Sequence, residues 1–378
     1  MKTKILYIIP LFFLLQGCKL LSLINNEEVF TKTGSVEVKS SSLIINIDID
    51  NVKKVPFLFD TGASMTFINY DSIIGNNEKR KTFKFGNVTT PDGSKTRKEI
   101  TALYIKTPWF ESKNKVVGLF AMPKSKCTSK TYYYGVIGLD AFINSNLILE
   151  LNNENRTINS YINTDFDKEK LNGFTKINAI FDRKKIEIPL TINGVTDNYL
   201  LDTGNNSGII MSYSKSLDSI SANKIITEGK SFQSVKAAFG NETTILQAVP
   251  VKIGDMNFNA PVLMVPNGIN KNMGMEAIKQ FNWIINFTTK EVFIKKNNVF
   301  SKEIKIKKAY FTTINKDKIL VIAKIKGNNK YDINDEITSI NDQKVTPENI
   351  CKMQDLLNKT EDWSALKLEI IPFKNQQQ

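Results

Sequence analysis

The stretch Phe57-Leu58-Phe59-Asp60-Thr61-Gly62-Ala63-Ser64 returns 142 residues later as Tyr199-Leu200-Leu201-Asp202-Thr203-Gly204-Asn205-Asn206. This repeat limits what the chain can fold into more than any other feature. Each copy is an apolar run that ends in Asp-Thr-Gly. The sequence downstream repeats as well. Gly135-Val136-Ile137-Gly138 with Leu147-Ile148-Leu149-Glu150-Leu151-Asn152 has its counterpart in Met273-Gly274 with Trp283-Ile284-Ile285-Asn286-Phe287-Thr288, offset by 136 residues. Recurrence of both order and spacing is the signature of a duplicated structural unit. Short β-branched runs such as Leu43-Ile44-Ile45-Asn46-Ile47 and Ile186-Glu187-Ile188-Pro189-Leu190 introduce the copies, and turn residues punctuate them. We therefore expect two β-rich halves, residues 30–162 and 175–298.

Each half also carries a polar hairpin candidate, around Gly93 in Thr90-Pro91-Asp92-Gly93-Ser94-Lys95 and around Gly240 in Ala238-Phe239-Gly240-Asn241-Glu242-Thr243. A chain of 378 residues is long enough for more than one core. It contains no histidine, so histidine-based triads, zinc sites and pH switches are excluded, and acid-base chemistry falls to carboxylates, Lys, Tyr or Cys. The formal charge of +13 comes from lysines scattered along the chain. With no basic stripe or nucleic-acid motif, that pattern describes a solvated surface and no nucleic-acid partner.

An apolar strand ending in Asp-Thr-Gly sets a carboxylate at the strand's end, and the glycine lets the backbone turn tightly beside it. One such loop is ordinary turn chemistry. Two at matched spacing resemble the pepsin and retropepsin clan of aspartic proteases, over roughly residues 35–297. The resemblance implies an all-β fold of two lobes related by a pseudo-two-fold, each an aspartic-protease-like β-barrel, sharing one site. It implies Asp60 and Asp202 as the catalytic dyad, and Thr61, Gly62, Thr203 and Gly204 as loop support. Gly138 and Gly274 would pack behind the aspartates, and Gly93 and Gly240 would be flap tips. The Gly274 element, Asn272-Met273-Gly274, departs slightly from the family pattern, and neither flap candidate carries the tyrosine typical of pepsin. The implied activity is peptide-bond hydrolysis by an activated water, with no cofactor and no metal. Two carboxylates held close share a proton and titrate as a pair. Ala63 and Asn205 stand where pepsin-like enzymes usually place a hydroxyl donor to the aspartate. Loss of that donor predicts activity at mildly acidic to neutral pH.

The first 18 residues read as an export signal: basic Lys2 and Lys4, an apolar run over residues 5–15, then Gln16-Gly17-Cys18. Leu15-Gln16-Gly17-Cys18 resembles the lipobox of bacterial lipoproteins, which implies a lipidated Cys18 and a chain anchored to a membrane of the cell envelope. The remaining cysteines, Cys127 and Cys351, are far apart in sequence. We expect each to be a small buried residue outside any disulfide.

Beyond about residue 302 the pattern changes. Tyr331-Asp332-Ile333-Asn334-Asp335-Glu336-Ile337 leads to Ile340-Asn341-Asp342-Gln343, followed by a helix over 347–358 and a strand over 366–371. The segment 302–374 resembles the latter part of a PDZ domain, a small α+β module, with Asn334 and Asp342 in place of two glycines. The resemblance implies either a groove for a peptide ligand or a purely structural module. Three rivals to the protease reading stay open: an inactive peptide-binding surface lipoprotein of the same fold, a dimer pairing each Asp-Thr-Gly with its copy, and an envelope polyanion binder.

Overall fold

The computed structural model describes residues 29–38, 42–69, 82–89, 95–120, 127, 133–182, 184–218, 223–230, 232–233, 238–239, 242–265, 271–300, 302 and 310–373. Cys18 and the hairpin glycines Gly93 and Gly240 lie outside these residues. Strands dominate what is described, in keeping with an all-β chain.

Local sequence explains the hairpin that leads to each Asp-Thr-Gly. Strand Lys185–Ile192 alternates buried Ile186, Ile188, Leu190 and Ile192 with half-exposed neighbours, the period of a strand with one face on a core. The chain reverses at Asn193 and Gly194, both at positive φ, and returns antiparallel as Val195–Leu201. Asn-Gly suits this turn because both central residues enter the left-handed region. In the first half the same job is done by Ile44–Ile49 and Val52–Phe59, with Asp50 at φ 50° between them.

These hairpins belong to two rings of hydrogen-bonded strands. The first runs through Ile44–Ile49, Val52–Phe59, Gly135–Ile137, Phe67–Ile68, Phe110–Leu119 and Lys95–Lys106, which pairs back onto Ile44–Ile49. The second runs through Lys185–Ile192, Val195–Leu201, Asn272–Met273, Ile209–Ser212, Met256–Val265 and Glu242–Ile253, which pairs back onto Lys185–Ile192. Strand for strand, the order and the parallel or antiparallel sense are the same. The sequence repeat is thus also a repeat of topology.

A six-stranded antiparallel sheet joins the rings, in the order Gly34–Glu37, Thr157–Ile162, Leu147–Asn152, Phe281–Asn286, Glu291–Lys296 and Thr175–Ile177. At its centre Leu149 faces Ile285, its own counterpart in the repeat. Equivalent residues can face each other across an antiparallel pair only on an approximate two-fold axis. One continuous apolar core runs through both rings and this sheet. Phe59, Trp109, Phe110 and Phe142 interlock edge to face beneath the first Asp-Thr-Gly, and Phe142 stacks on Phe287 from the joining sheet. Such packing gives the site a stiff floor.

The C-terminal unit has a separate core, built on Tyr310, Tyr331 and Trp363 and on the buried face of helix Ile350–Lys359. The helix starts later than the sequence suggests because Asn349 accepts from the Thr346 N–H at 2.8 Å, making a turn of the preceding residues. Asn334 and Asp342, which stand in for glycines, both adopt positive φ, at 75° and 65°. Asn and Asp tolerate that region better than other side chains, which is how the turns survive without glycine.

This unit is tied to the rest by strand pairing, an ion pair and a disulfide. Strand Lys318–Ile325 pairs with Lys224–Gly229 of the second half, extending its sheet, and Lys326 bridges to Glu242 at 2.8 Å. The expectation of separate Cys127 and Cys351 is overturned: they form a disulfide with Cα atoms 4.8 Å apart across 224 residues of sequence. Sequence separation was a poor guide because the C-terminal unit folds back onto the first half, where Cys127 packs against its core.

Candidate active site

Each Asp-Thr-Gly follows directly from its ring strand. Val52–Phe59 and Val195–Leu201 end beside short parallel partners, and the N–H groups of Asp60 and Asp202 donate to the carbonyls of Ile137 and Met273, both at 3.0 Å. The loops then turn back on their own carboxylates. Asp60 Oδ1 accepts from the N–H of Gly62 at 2.8 Å and Ala63 at 3.2 Å. Asp202 Oδ1 accepts from the N–H of Gly204 and Asn205, both at 3.1 Å.

The threonines lock one loop to the other. Thr61 Oγ1 donates to the Leu201 carbonyl at 2.5 Å and accepts from the Thr203 N–H at 3.1 Å. Reciprocally, Thr203 Oγ1 donates to the Phe59 carbonyl at 2.9 Å and accepts from the Thr61 N–H at 3.0 Å. Both side chains are fully buried. Four polar contacts in a buried setting fix the relative position of two loops that lie 142 residues apart.

The glycines are required by close approach. A Cβ on Gly62 would lie 2.6 Å from the Asp202 carboxyl carbon, and one on Gly204 would press equally hard on Asp60. Gly138 packs against the backbone of Ala63 and Met65, and Gly274 against Asn205 and Ser207. The structure therefore brings together Asp60, Thr61, Gly62, Gly138, Asp202, Thr203, Gly204 and Gly274.

The two carboxyl groups lie together between the loops, each against the other loop's glycine, and interact closely enough to share a hydrogen bond when one is protonated. Burial is the largest influence on both and raises both above the ordinary carboxylate range. Asp60 is drawn back by the Gly62 N–H, its bond with Asp202, and the Ala63 and Gly204 N–H groups. Asp202 is pushed well up by burial, then by the negative charge of Asp60 and the bond between them. Two such carboxyls share one proton and titrate as a pair. No hydroxyl reaches the aspartates from the residue after either glycine: Ala63 has none, and the Asn205 amide is turned to Asn272 Oδ1 at 2.7 Å and to Ser207.

Sequence reasoning missed Tyr133. Its hydroxyl pKa is raised by burial and by the negative charge of Asp60, which puts it within electrostatic range of the dyad. The tyrosines at 132–134 just before Gly135 were the available signal. Among the described residues, no three His, Cys, Asp or Glu side chains gather as metal ligands would. In comparison with known proteins, the chain matches no family model and no curated protein.

Proposed function

We propose that this chain is an aspartic endopeptidase of the pepsin and retropepsin kind, with the two rings as its lobes and Asp60 and Asp202 as its dyad. The observation that carries this reading is the carboxyl pair itself, each member presented by its own Asp-Thr-Gly loop, set against the other loop's glycine and braced by the other loop's threonine. A lone aspartate turn would have no need of such bracing.

In this mechanism the ionised Asp60 takes a proton from a water lying between the two carboxyl groups. The water oxygen attacks the peptide carbonyl carbon while Asp202 gives its proton to the carbonyl oxygen, forming a neutral tetrahedral diol. In the collapse, Asp202 takes back a diol hydroxyl proton as the carbonyl re-forms, the C–N bond breaks, and Asp60 gives its proton to the leaving amine. With no side-chain donor beyond the loop N–H groups, and with burial raising both members, the pair works at mildly acidic to neutral pH.

Cys18 carries the lipid that holds the enzyme at a bacterial envelope membrane. The Cys127–Cys351 disulfide supports an exported location, since such bonds persist in oxidising compartments. The C-terminal unit is a PDZ-like module that guides substrates to the cleft or regulates access to it, and it is attached to both halves. The test is cleavage of a diverse peptide mixture between about pH 3 and 8 by wild type, Asp60→Asn and Asp202→Asn. Wild type should cut, and each substitution should abolish cutting. A folded wild type that cuts nothing points to the inactive peptide binder, and a fully active single variant sinks the shared dyad.

A further inference from the structure

Lys115 and Asp140 form a buried ion pair in the first ring, with Nζ 2.9 Å from Oδ2 and side chains only 3% and 4% exposed. Burying both charges is costly, and an apolar pair of similar volume would often serve stability as well or better. The position of the pair suggests what it is for. The other Asp140 oxygen accepts from the Thr66 N–H at 2.7 Å and the Thr66 hydroxyl at 2.9 Å. That hydroxyl accepts from the Gly138 N–H at 3.3 Å, and the Leu139 N–H donates to the Ala63 carbonyl at 2.9 Å. The loop that offers Gly62 and Ala63 N–H groups to Asp60 at one end is thus clamped by a carboxylate at the other. Lys115 ties that carboxylate to strand Phe110–Leu119.

The second loop is held differently. Gly208 stands where Thr66 does, and Glu276, the counterpart of Asp140, pairs at 2.6 Å with Lys279 and accepts the Lys302 N–H. The bracing there comes from the neutral Asn205 amide, bonded to Asn272 and accepting from Ser207 N–H and Oγ at 2.9 and 2.6 Å. Among the described residues, the charged pair is nearly fully buried at the first loop and about one-fifth exposed at the second, where it does not hold the loop's own side chains.

We propose that Asp140, itself held by Lys115, is a positioning residue for Asp60, fixing the loop so that the Gly62 and Ala63 N–H groups stay on its carboxylate. This inference rests on the protease reading. Its sharpest test compares two double variants of the full chain. Lys115→Met with Asp140→Leu replaces the pair by apolar side chains and removes the acceptor for Thr66. Lys115→Met with Asp140→Asn also removes both charges but keeps an amide oxygen for Thr66.

The apolar variant should unfold at no lower urea concentration than wild type, yet lose about tenfold or more in kcat with KM within about twofold, as expected of a misplaced catalytic group. The acidic limb of its pH profile should move up, because Asp60 loses donors to its charged form. The amide variant should recover most of kcat and restore the limb, and Glu276→Gln should leave both where they are. An apolar variant with wild-type kcat and pH profile overturns the proposal, as does an amide variant no better than the apolar one. Should the apolar variant fail to fold, Lys115→Met with Asp140→Ala takes its place, since it too leaves Thr66 without an acceptor: an unmoved acidic limb then overturns the proposal. Titration of 13C-labelled aspartate carboxyls reads the same shift without turnover. A wild type that cleaves nothing would therefore sink the protease reading while leaving the positioning question answerable.

Discussion

Replacing Thr203 by valine isolates the polar contribution of the cross-brace. Valine keeps the volume and branching of threonine, so no cavity opens, and only the hydroxyl is lost. That hydroxyl satisfies the Thr61 N–H at 3.0 Å and the Phe59 carbonyl at 2.9 Å, both buried. Each stranded buried group costs about 1–3 kcal/mol, so the substitution should destabilise by about 2–6 kcal/mol. Thr203→Ser retains the hydroxyl and loses one methyl, a cost of about 1 kcal/mol. Urea unfolding, followed by the fluorescence of Trp109 and Trp283, both fully buried, separates the two outcomes. At a slope of about 3 kcal/mol per molar urea, valine should lower the midpoint by roughly 0.7–2 M and serine by less than half of that. Thr61→Val strands the Leu201 carbonyl and the Thr203 N–H and should cost about as much. A valine variant within 1 kcal/mol of wild type, on the scale of an ordinary surface change, would refute the brace. So would a serine variant as damaged as the valine one.

Two further outcomes follow from the charges and the crosslink. Asp202 has its folded pKa raised, so the folded state holds a proton that the unfolded chain gives up near pH 4. Its contribution to stability is complete below about that pH and is lost as pH rises through the folded value. Asp202→Asn should therefore be inactive yet more stable than wild type at neutral pH, with the advantage vanishing towards pH 4 in thermal unfolding scans; a constant offset would contradict the assigned proton. For the disulfide, alkylation of the unreduced, denatured protein should label neither Cys127 nor Cys351. Cys351→Ser should lower stability by up to about 5 kcal/mol, the chain-entropy value for a loop of this length, and labelling of both cysteines before reduction would count against the bond.

How much of this was legible in the sequence depended on whether a feature repeats or is local. The aspartates, their threonines and the glycines behind them were visible because duplication wrote them twice at fixed spacing. The Cys127–Cys351 bond was misread because no local pattern reports that the C-terminal unit folds back onto the first half, where Cys127 packs against its core. Lys115 was equally hidden: in Ser112-Lys113-Asn114-Lys115 it looks like part of a solvated strand, and only the folded ring shows it buried against Asp140.

The same distinction explains why the site is not symmetric although the fold nearly is. Duplication carries over what each half needs by itself: the strand, the turn and the glycine. It does not preserve contacts made between unrelated parts of the chain, and those are where the halves differ. Asp60 receives N–H groups from both loops and is backed by a charged clamp, whereas Asp202 has an amide-braced loop and bears the repulsion of its partner. A symmetric pair of carboxyls would have no preferred proton holder. The unequal surroundings give the shared proton two different settings, and the proposed mechanism uses that difference to divide the roles of base and acid.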